Sequence, residues 1–286
     1  MAPLVWLITG CTSGFGSLMV QQILSRGDKV IATGRTLSKL SSLQESGAAV
    51  LQLDVTDSQQ SLNATIVKAI AIYGRIDVLV NNAAYIQTGA WEDLEYGEWL
   101  AEFDANVLGV IKVTRAVLPH LRERKAGTIV FLSSRSGWYG DAFCSAYSGS
   151  KFALEGIVEG LRWETEQFGI KTLMIEPGRF RTKFLSPGNL RTKQSHIPDY
   201  EEASRNFIAY LAQNEDGKQP GDPLKAVEII LDLVRKEGVA EGKEVPFRLP
   251  LGRDCYETIK EKCEETLKLL KEWEGVCTST DLPRKE

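Results

Sequence analysis

A tyrosine and a lysine four residues apart are the side chains in this sequence best suited to proton transfer. Tyr147 and Lys151 open a stretch with helical spacing, which places both on one face of the predicted helix. A free phenol titrates at about pH 10, and an adjacent ammonium favours the phenolate, so the pair predicts a lowered pKa for Tyr147. Exposed helix pairs share this spacing. Ser134, at the end of a strand-like run thirteen residues earlier, makes the combination much harder to reach by chance.

A glycine-rich turn follows the first apolar run. Residues 4–8 are apolar, residues 9–16 include Gly10, Gly14 and Gly16, and helical spacing begins at Ser17. Glycines allow a tight turn and a close approach of backbone to ligand, while the N–H groups that open a helix receive a pyrophosphate. The order of strand, turn and helix indicates a dinucleotide site. An ordinary turn has the same glycine content, so the cluster alone does not separate the two interpretations.

The end of the second apolar run bears on the choice of dinucleotide. An acid at this point bonds the ribose 2′-hydroxyl, whereas a basic residue accommodates a 2′-phosphate. Residues 32–35 contain no acid, and Arg35 offers a planar, permanently charged group that suits phosphate. The sequence therefore predicts a preference for NADP(H) over NAD(H). The alternative is that Arg35 is a solvated surface residue.

Short apolar runs alternate with helical stretches along the first two thirds of the chain. The runs cover residues 4–8, 30–33, 49–53, 78–80, 129–132 and 172–175. Such alternation indicates βαβ units and a parallel sheet. We find no internal repeat and no low-complexity linker. The prediction is therefore one α/β domain over residues 1–286, a Rossmann-type doubly wound parallel sheet with helices on both faces.

The regular alternation breaks between residues 179 and 222, where prolines and glycines occur among scattered apolar residues. Long insertions in compact domains commonly serve as lids or binding loops, so we predict a mobile substrate loop here. A helix is expected at 223–236 and a final strand at 245–249. The last predicted helix, 253–273, carries an apolar stripe. We expect this stripe to pack on the core rather than on a membrane, because its polar face mixes both charge signs.

Composition excludes several other classes of protein. The 286 residues contain 34 Lys and Arg against 38 Asp and Glu, a net charge of −4, so nothing favours nucleic acid or anionic membranes. Five cysteines without a CxxC pair and only two histidines predict no metal site. Neither a basic signal-peptide region nor an apolar run of about 18 residues is present. Reduced thiols and a cytoplasmic location are expected.

With these motifs in place, the chain resembles the short-chain dehydrogenase/reductase family from about residue 4 to residue 182. Several independent motifs agree in order and spacing. The matching positions are Thr9, Gly10, Gly14 and Gly16 in the turn, Asp54 after the third strand, Asn81, Asn82, Ala83 and Ala84 in an NNAG-like segment, Asn106 on a helix, Ser134, Tyr147 and Lys151, and Pro177, Gly178 and Thr182 in a later PG segment.

The resemblance implies a role for each of four side chains. Tyr147 is the proton donor or acceptor, and Ser134 holds and polarises the substrate oxygen. Lys151 binds the nicotinamide ribose and tunes Tyr147, while Asn106 supports a proton relay. A hydride then moves between the nicotinamide and a carbonyl carbon as Tyr147 passes a proton to the oxygen, so that charge never accumulates uncompensated.

The resemblance also implies where the cofactor lies. Asp54 and Val55 are expected at the adenine, Asn82 and Ala83 beside the cofactor, and Thr182 near the nicotinamide amide. The full set of expected cofactor contacts is Gly10, Thr12, Ser13, Gly14, Phe15, Gly16, Arg35, Asp54, Val55, Asn82, Ala83, Tyr147, Lys151, Pro177, Gly178 and Thr182.

Two details of the motifs are informative. Ala84 stands where the family usually has glycine, which narrows that loop by a methyl group but removes no hydrogen-bonding group. The turn with Cys11 after its first glycine is similar to the hydroxysteroid and retinol dehydrogenase branch and to fungal or bacterial ketoreductases. Family members commonly form dimers or tetramers through helices matching residues 99–121 and 146–168. A homo-oligomer is therefore expected.

The function expected from these features is NADP(H)-dependent interconversion of a ketone and a secondary alcohol, with reduction the favoured direction. A lipophilic, ring-bearing small molecule is the expected substrate, because apolar residues cluster near the site. They are Trp138, Tyr139, Phe143, Phe180, Phe184, Phe207 and Leu211. These side chains could equally pack the domain, and Arg179, Arg181 and Lys183 would suit an acidic substrate. The alternative class is a nucleotide-binding regulatory or non-redox protein on the same fold.

Overall fold

A seven-stranded parallel sheet forms the centre of the computed structural model, which describes residues 2–282. Met1 and residues 283–286 of the predicted domain lie outside the described residues. The strands are β1 (Val5–Ile8), β2 (Lys29–Gly34), β3 (Ala49–Gln52), β4 (Val78–Asn81), β5 (Ile86–Thr88), β6 (Gly127–Leu132), β7 (Ile170–Pro177), β8 (Leu190–Thr192) and β9 (Arg248–Leu251). The main sheet has the order β3-β2-β1-β4-β6-β7-β9, and β5 pairs with β8 in a separate small sheet.

Helices cover both faces of the main sheet, as the sequence predicts. They are α1 (Gly14–Ser25), α2 (Ser41–Glu45), α3 (Gln59–Tyr73), α4 (Tyr96–Phe103), α5 (Gly109–Arg124), α6 (Ser145–Thr165), α7 (Pro198–Tyr210), α8 (Pro223–Arg235), α9 (Arg253–Glu272) and α10 (Glu274–Thr278). Because every neighbouring pair in the main sheet is parallel, each connection must cross over the sheet, and these helices make most of the crossings. The α/β prediction is confirmed.

The strand β1 shows why the apolar runs are continuous rather than alternating. Trp6 and Ile8 are buried among side chains of α1 and α8 on one face of the sheet, whereas Val5 and Leu7 are buried among side chains of α3 and α5 on the other. A parallel strand covered on both faces needs apolar residues at every position. Strand order reverses between β1 and β4, which opens a crevice at the carboxyl ends of these strands.

Two predicted elements differ from the structure near the end of the chain. The final strand is Arg248–Leu251 and not residues 245–249, because its pairing partners are residues Met174 to Pro177 of β7. The helix predicted at 253–273 exists, but the expectation that its stripe packs on the core is wrong. Cys255 is buried at its start, whereas Leu267 is 66% and Trp273 52% exposed. Beyond Ile259, every described residue of α9 is exposed.

The segment 179–222 contains more regular structure than a loop. It includes β8, α7 and a π-helical turn, Leu211–Glu215, and it joins the body of the protein where β8 pairs with β5. The contact of Arg181 N with the carbonyl of Gly221, at 3.0 Å, closes the base of the segment. Within residues 2–282, no helix combines the length and apolar content needed to cross a membrane.

Candidate active site

The predicted site residues converge on one cavity of about 800 Å³ at the carboxyl ends of the strands. The predicted residues that line it are Gly10, Thr12, Ser13, Phe15, Arg35, Asp54, Val55, Asn82, Ala83, Ser134, Tyr147, Lys151, Pro177, Gly178 and Thr182. Gly14, Gly16 and Asn106 are not part of its wall. Gly16 and Asn106 act from behind the wall, through contacts described below.

The glycine turn is packed directly against the end of β4. Asn82 Nδ2 donates to the carbonyls of Thr9, at 2.8 Å, and Gly10, at 3.0 Å. A Cβ atom at Gly16 would lie 2.5 Å from the carbonyl oxygen of Gly10 and 2.6 Å from Asn82 Nδ2, so any side chain there would force the turn apart. Thr9 Oγ1 accepts the backbone N–H groups of Asn82 and Ala83. Asn82 therefore holds the two motifs together in addition to lining the cavity.

The backbone of this turn is suited to bind a dinucleotide. The side chain of the N-cap residue Ser13 makes no capping hydrogen bond in the described part of the chain, so the N–H groups of the first turn of α1 remain open to an anion. The absence of a side chain at Gly16 lets the turn close up against Asn82. Asp54 Oδ1 accepts from the N–H and hydroxyl of Thr56, which fixes this carboxylate at the cavity wall.

The far end of the cavity, beside β2, is basic. Arg35 is exposed and lines the wall together with Thr36 and Lys39. Sequence reasoning missed Lys39, which follows Arg35 in the next turn of chain and shows no motif of its own. The backbone at Arg35 is held by Gln52, whose Nε2 donates to the Arg35 carbonyl at 3.0 Å. Two cationic side chains thus border the position where a dinucleotide's adenosine ribose is expected.

Tyr147 and Ser134 meet at the opposite end of the cavity. Ser134 caps a short helical turn by accepting the N–H of Ser136 at 3.0 Å, which fixes its hydroxyl oxygen. Tyr147 is buried on the first turn of α6, and it lines the same cavity as Ser134. Burial raises the pKa of Tyr147, although the neighbouring Ser134 hydroxyl opposes the shift. The expectation that Lys151 lowers the pKa of Tyr147 is wrong for this structure, because desolvation of the phenolate outweighs other influences.

Lys151 lies under Tyr147, but its hydrogen bond goes elsewhere. Its Nζ donates to the carbonyl of Leu132 at 2.8 Å and lies 5.7 Å from the centroid of the Tyr147 ring. Burial lowers the pKa of Lys151 to about 8, partly offset by the carboxylates of Glu102 and Glu155. An ammonium has three N–H donors, so two remain for other acceptors in the cavity.

Asn106 is fully buried in a π-helical turn, Asp104–Leu108, between α4 and α5. Its Nδ2 donates to the Tyr85 carbonyl at 2.9 Å, and its Oδ1 accepts the N–H of the same residue at 3.2 Å. Nδ2 is also 2.8 Å from Glu102 Oε1 and 3.3 Å from Ser150 Oγ. The side chain therefore ties the segment before β5, the π-helical turn and α6 together behind Tyr147.

Some of the predicted aromatic residues surround Tyr147. The Phe184 ring lies 6.0 Å from the Tyr147 ring, and Phe143 stacks against Phe207 at 5.4 Å. Phe180, Phe184, Phe207 and Leu211 line the cavity, as predicted. Leu185 and Tyr210 line it as well, although the sequence analysis did not single them out.

Three of the aromatic predictions are wrong. Trp138 Nε1 donates to the buried carboxyl of Glu176 at 3.0 Å, so its ring belongs to the packing around β7. Tyr139 is 47% exposed, and its ring lies 5.7 Å from the guanidinium of Arg135. In the described chain Trp138, Tyr139 and Phe143 are not part of the cavity wall, although Phe143 packs against Phe207, which lines it. Asp141 and Cys144, in the same segment between Ser134 and Tyr147, line the cavity instead.

The predicted basic cluster beside the cavity is largely engaged by protein groups. Arg179 Nη1 lies 2.7 Å from Glu215 Oε1, and its Nε lies 3.4 Å from Asp254 Oδ2. Arg181 Nε donates to the Gln219 carbonyl at 3.2 Å. Asp254 also accepts the Arg179 N–H at 2.8 Å and occupies the space that a side chain at Gly178 would need. The first turn of α9 thus completes this wall.

Comparison with known proteins identifies the class to which this fold and site belong. The model of the short chain dehydrogenase family matches residues 4–192. The chain belongs to this family and is an oxidoreductase of that class. The matched range includes the glycine turn and the four residues predicted to be catalytic, Asn106, Ser134, Tyr147 and Lys151. The resemblance stated from the motifs is confirmed.

Individual relatives extend the similarity over most of the chain. It is 36% identical over 263 residues to the uncharacterized oxidoreductase YusZ of Bacillus subtilis, covering 88% of this chain and 90% of that protein. It is 31% identical over 252 residues to human retinol dehydrogenase 8, covering 82% and 79% respectively. A short-chain dehydrogenase structure from Streptomyces avermitilis is 37% identical and superposes with a TM-score of 0.86, covering 98% of this chain and 99% of that one.

More distant structures share the fold. A family member from Burkholderia phymatum, solved in complex with NAD, is 20% identical and has a TM-score of 0.74 over 99% of this chain and 98% of that one. ElxO with NADP bound is 23% identical and has a TM-score of 0.69 over 89% and 99%. Both show that the parallel sheet and its covering helices persist at low sequence identity.

Proposed function

We propose that this protein is an NADP(H)-dependent oxidoreductase that interconverts a lipophilic ketone and the corresponding secondary alcohol. The observation that carries the proposal is the presence of Tyr147 and Ser134 together on the wall of a cavity that also contains the open N-terminus of α1. One hydroxyl can donate a proton and the other can hold the same substrate oxygen. Buried Lys151 supplies positive charge below them.

In the direction of reduction, Ser134, Tyr147 and Lys151 have separate roles in binding and proton transfer. When bound, the nicotinamide supplies the hydride that reaches the carbonyl carbon. Ser134 holds the carbonyl oxygen, and Tyr147 donates its proton to that oxygen as negative charge develops there. A raised pKa keeps Tyr147 protonated until that moment. The two free donors on Lys151 Nζ are available to the ribose hydroxyls, which would orient the cofactor beside the tyrosine.

The preference for NADP(H) rests on Arg35 and Lys39. Both line the cavity beyond β2, and no acid stands at the end of that strand to bond a ribose 2′-hydroxyl. Related folds bind either dinucleotide, as the NAD complex and the NADP complex named above illustrate. The positive charge at this end of the cavity therefore supports NADP(H) over NAD(H), whereas the fold alone does not separate the two cofactors.

The proposal of a lipophilic substrate rests on the side chains that form the cavity wall near Tyr147. Phe184, Leu185, Phe207 and Leu211 present apolar surface there. Arg179, the charged residue closest in sequence to the PG segment, is already paired with two carboxylates. One relative carries the name of a retinol dehydrogenase, which is consistent with an apolar alcohol. We also propose that the segment 179–222 moves as a cover during substrate entry and product release.

A substrate panel tests the proposal directly. Purified protein would be supplied with NADPH and with ring-bearing ketones, linear ketones, sugars or hydroxy acids, and oxidation of NADPH would be recorded. We expect the highest kcat/KM with a ring-bearing ketone. A best substrate among the sugars or hydroxy acids would contradict the lipophilic assignment. Tight NADPH binding without turnover of any carbonyl compound or alcohol would favour the regulatory alternative.

Hydrogen exchange tests the cover separately. Amides of residues 198–210 should exchange faster without ligand than after addition of NADPH and product, because closure would shield α7 from solvent. Amides of β6 serve as the internal reference, since this strand is central in the sheet. Protection of α7 equal to that of β6 in the absence of ligand would show that the segment is a fixed wall.

Homo-oligomer formation and a cytoplasmic location complete the proposal. Phe152, Ile157 and Trp163 on α6 are each more than two fifths exposed, which supports burial of this helix against a second copy. All five cysteines are free, consistent with a reducing compartment. Light scattering after size-exclusion chromatography would measure the mass in solution. A monomer at micromolar concentration would contradict the first part.

A further inference from the structure

Arg191, on the short strand β8, lines the cavity and has no role in the reaction described so far. Its guanidinium carbon lies 4.3 Å from the centroid of the Tyr85 ring, which lines the cavity too. A contact between a cation and an aromatic ring consumes none of the five N–H donors of the guanidinium. Within residues 2–282 these donors have no hydrogen-bond acceptor and no ion-pair partner, since only the backbone carbonyl of Arg191 is bonded, to Thr88.

The carboxylates on the cavity wall are all engaged by groups other than Arg191. In the described chain they are Asp54, Asp104, Asp141, Glu215 and Asp254, held by Thr56, Lys112, Arg135 and, for the last two, Arg179. The buried acid Glu102 forms no ion pair with Arg191 in this part of the chain either, and its Oε1 accepts from Asn106 at 2.8 Å. The protein thus supplies no carboxylate to Arg191 within residues 2–282.

Tyr85 connects Arg191 to the catalytic end of the cavity. Its backbone N–H and carbonyl both bond to the side chain of Asn106, at 3.2 Å and 2.9 Å. Asn106 Nδ2 lies 3.3 Å from Ser150 Oγ, which donates to the Tyr147 carbonyl at 2.7 Å. The ring that supports Arg191 is therefore fixed to the same framework as the catalytic tyrosine.

The small sheet of β5 and β8 holds the backbone of Arg191 in place. Gln87 of β5 is the pairing partner of Arg191, so Tyr85 lies just before the strand that pairs with β8. Thr88 Oγ1 donates to the Arg191 carbonyl at 3.4 Å, and the Thr88 carbonyl accepts the N–H of Lys193 at 2.9 Å. Arg191 is thus anchored to β5, although it belongs to the segment 179–222 that we propose to move.

The surroundings of Arg191 suit a ligand that is apolar along its length and charged at one end. Ile86 on β5, Ala101 on α4, Ala105 in the π-helical turn and Phe184 present apolar groups to the same cavity. Arg191 itself is exposed, which places it where the cavity opens to solvent. An anion bound there keeps part of its hydration, so the binding energy is not lost to complete desolvation.

We propose that Arg191 is a specificity-determining residue that binds a carboxylate on the substrate, with the Tyr85 ring as the platform that holds the guanidinium. A carboxylate matches the paired N–H donors of a guanidinium. The substrate class is thereby narrowed to keto acids with a ring-bearing apolar frame, which separates them from small hydroxy acids. This inference rests on the proposed function, because the ketone of the same molecule must reach Tyr147.

Matched acids and esters test the proposal. Para-acetylbenzoate, acetylnaphthoate and acetylbiphenylcarboxylate place the acid at increasing distances from the ketone, and the methyl ester of each compound removes the charge. NADPH oxidation gives kcat/KM for every acid and ester with the wild-type protein, Arg191→Gln and Arg205→Gln. Arg205→Gln is the control, because it removes the same charge from an exposed position on α7 that is outside the cavity wall.

We expect at least one acid to exceed its ester in kcat/KM by roughly tenfold in the wild-type protein, as a charge-assisted hydrogen bond can provide. Arg191→Gln should abolish this advantage, and Arg205→Gln should keep it. Arg191→Lys should retain part of it, because the charge remains but the paired donors are lost. A ratio near one for every pair in the wild-type protein, or an advantage that survives in Arg191→Gln, would overturn the proposal. A tenfold loss of NADPH affinity in Arg191→Gln would also overturn it, because the guanidinium would then bind the cofactor.

Variants of Tyr85 test the platform. Tyr85→Phe keeps the aromatic ring under the guanidinium, whereas Tyr85→Leu replaces it with an aliphatic group of smaller contact area. The ratio of acid to ester should fall in Tyr85→Leu and be maintained in Tyr85→Phe. Because the ratio compares two ligands on one variant, a general loss of activity does not affect it. Equal ratios in the two variants would contradict the role of the ring.

Binding measured without turnover separates this inference from the proposed reaction. Isothermal titration of the same acids and esters into protein saturated with NADP⁺ gives their Kd values. Tighter binding of an acid through Arg191, without turnover of any ketone, would show that the carboxylate site exists and that the proposed reaction is wrong. Turnover of acids and esters alike, independent of Arg191, would leave the reaction in place and refute the site. Failure of every acid to bind would refute the site as well.

Discussion

On the α1 side of the crevice the protein presents mostly backbone, whereas on the α6 side it presents functional side chains. The glycine turn is closed by Asn82, and Gly16 leaves room that no other residue would leave. Across the cavity, Ser134, Tyr147 and Lys151 present one hydroxyl, one phenol and one ammonium to the cavity wall. The first region should therefore be sensitive to added volume, and the second to the loss of a single functional group.

Tyr147→Phe should have the largest effect on activity. It is the most direct test of the difference between the α1 side and the α6 side of the crevice. The phenyl ring still packs against Phe184, but the proton donor is gone. Loss of a positioned acid lowers kcat by roughly 10²–10⁴-fold, and the Kd for NADPH should hardly change. Steady-state kinetics and cofactor titration measure both quantities. Tyr139→Phe is the control, since Tyr139 lies outside the cavity wall. Turnover in Tyr147→Phe near the wild-type rate would remove the proposed mechanism.

Arg35→Ala should affect binding and leave the chemical step intact. A charge-assisted contact to phosphate contributes about 1.5–3 kcal/mol, so NADPH affinity should fall about ten- to a hundred-fold while NADH affinity stays the same. Isothermal titration with both cofactors gives the ratio. Arg115→Ala, on the exposed face of α5, controls for a general change in charge. Equal affinity of the wild-type protein for both cofactors would contradict the predicted preference.

Gly16→Ala sharpens the comparison by adding volume without removing a functional group. The new methyl would lie 2.5 Å from the Gly10 carbonyl oxygen, and overpacking of this kind costs about 1–3 kcal/mol. Both the free energy of unfolding and the affinity for either cofactor should fall. Gly160→Ala is the matched control, because the added methyl on α6 meets open space. Denaturant unfolding of the two variants should differ in sign, and similar destabilisation would argue against a close-packed turn.

Removal of residues 263–286 should have the smallest effect. The described part of this region is exposed, and changes to exposed residues usually alter the free energy of unfolding by about 0.5 kcal/mol or less. Asp254→Ala, by contrast, deletes the acceptor for the Arg179 N–H and should lower Tm clearly. Thermal unfolding compares the two. A truncation as damaging as Asp254→Ala would mean that the exposed part of α9 is needed for stability.

The sequence predicts the two regions unequally well. Backbone motifs such as the glycine turn and apolar runs such as those of β1 and β7 are local signals, and the structure reproduces them closely. The predictions that failed depend on the surroundings of a side chain in the folded protein. The pair Tyr147 and Lys151 gives no sign of how deeply the phenol is buried, and desolvation decides the direction of its pKa. Glu102 looks like an ordinary polar residue of an amphipathic helix until the π-helical turn brings Asn106 against it.

Helix α9 shows that the sequence is equally limited in predicting how a helix packs. Its apolar stripe satisfies the usual criterion for a core-facing helix, yet Leu267 and Trp273 remain exposed. An apolar stripe shows that one face of a helix is apolar, but it does not show whether another part of the protein covers that face. The strands β5 and β8 were missed for a different reason. Each has three residues, and they are ordered by pairing with each other across about a hundred positions of sequence.

The contact between Asp254 and the segment after β7 has a consequence for the order of assembly. Arg179 and Asp254 are 75 positions apart, so the wall beside Pro177 and Gly178 lacks its partner until α9 has left the ribosome. The glycine turn, by contrast, needs only residues up to Asn82 for its closing hydrogen bonds. During synthesis the contacts of the glycine turn can thus form well before the wall beside Pro177 and Gly178 is complete.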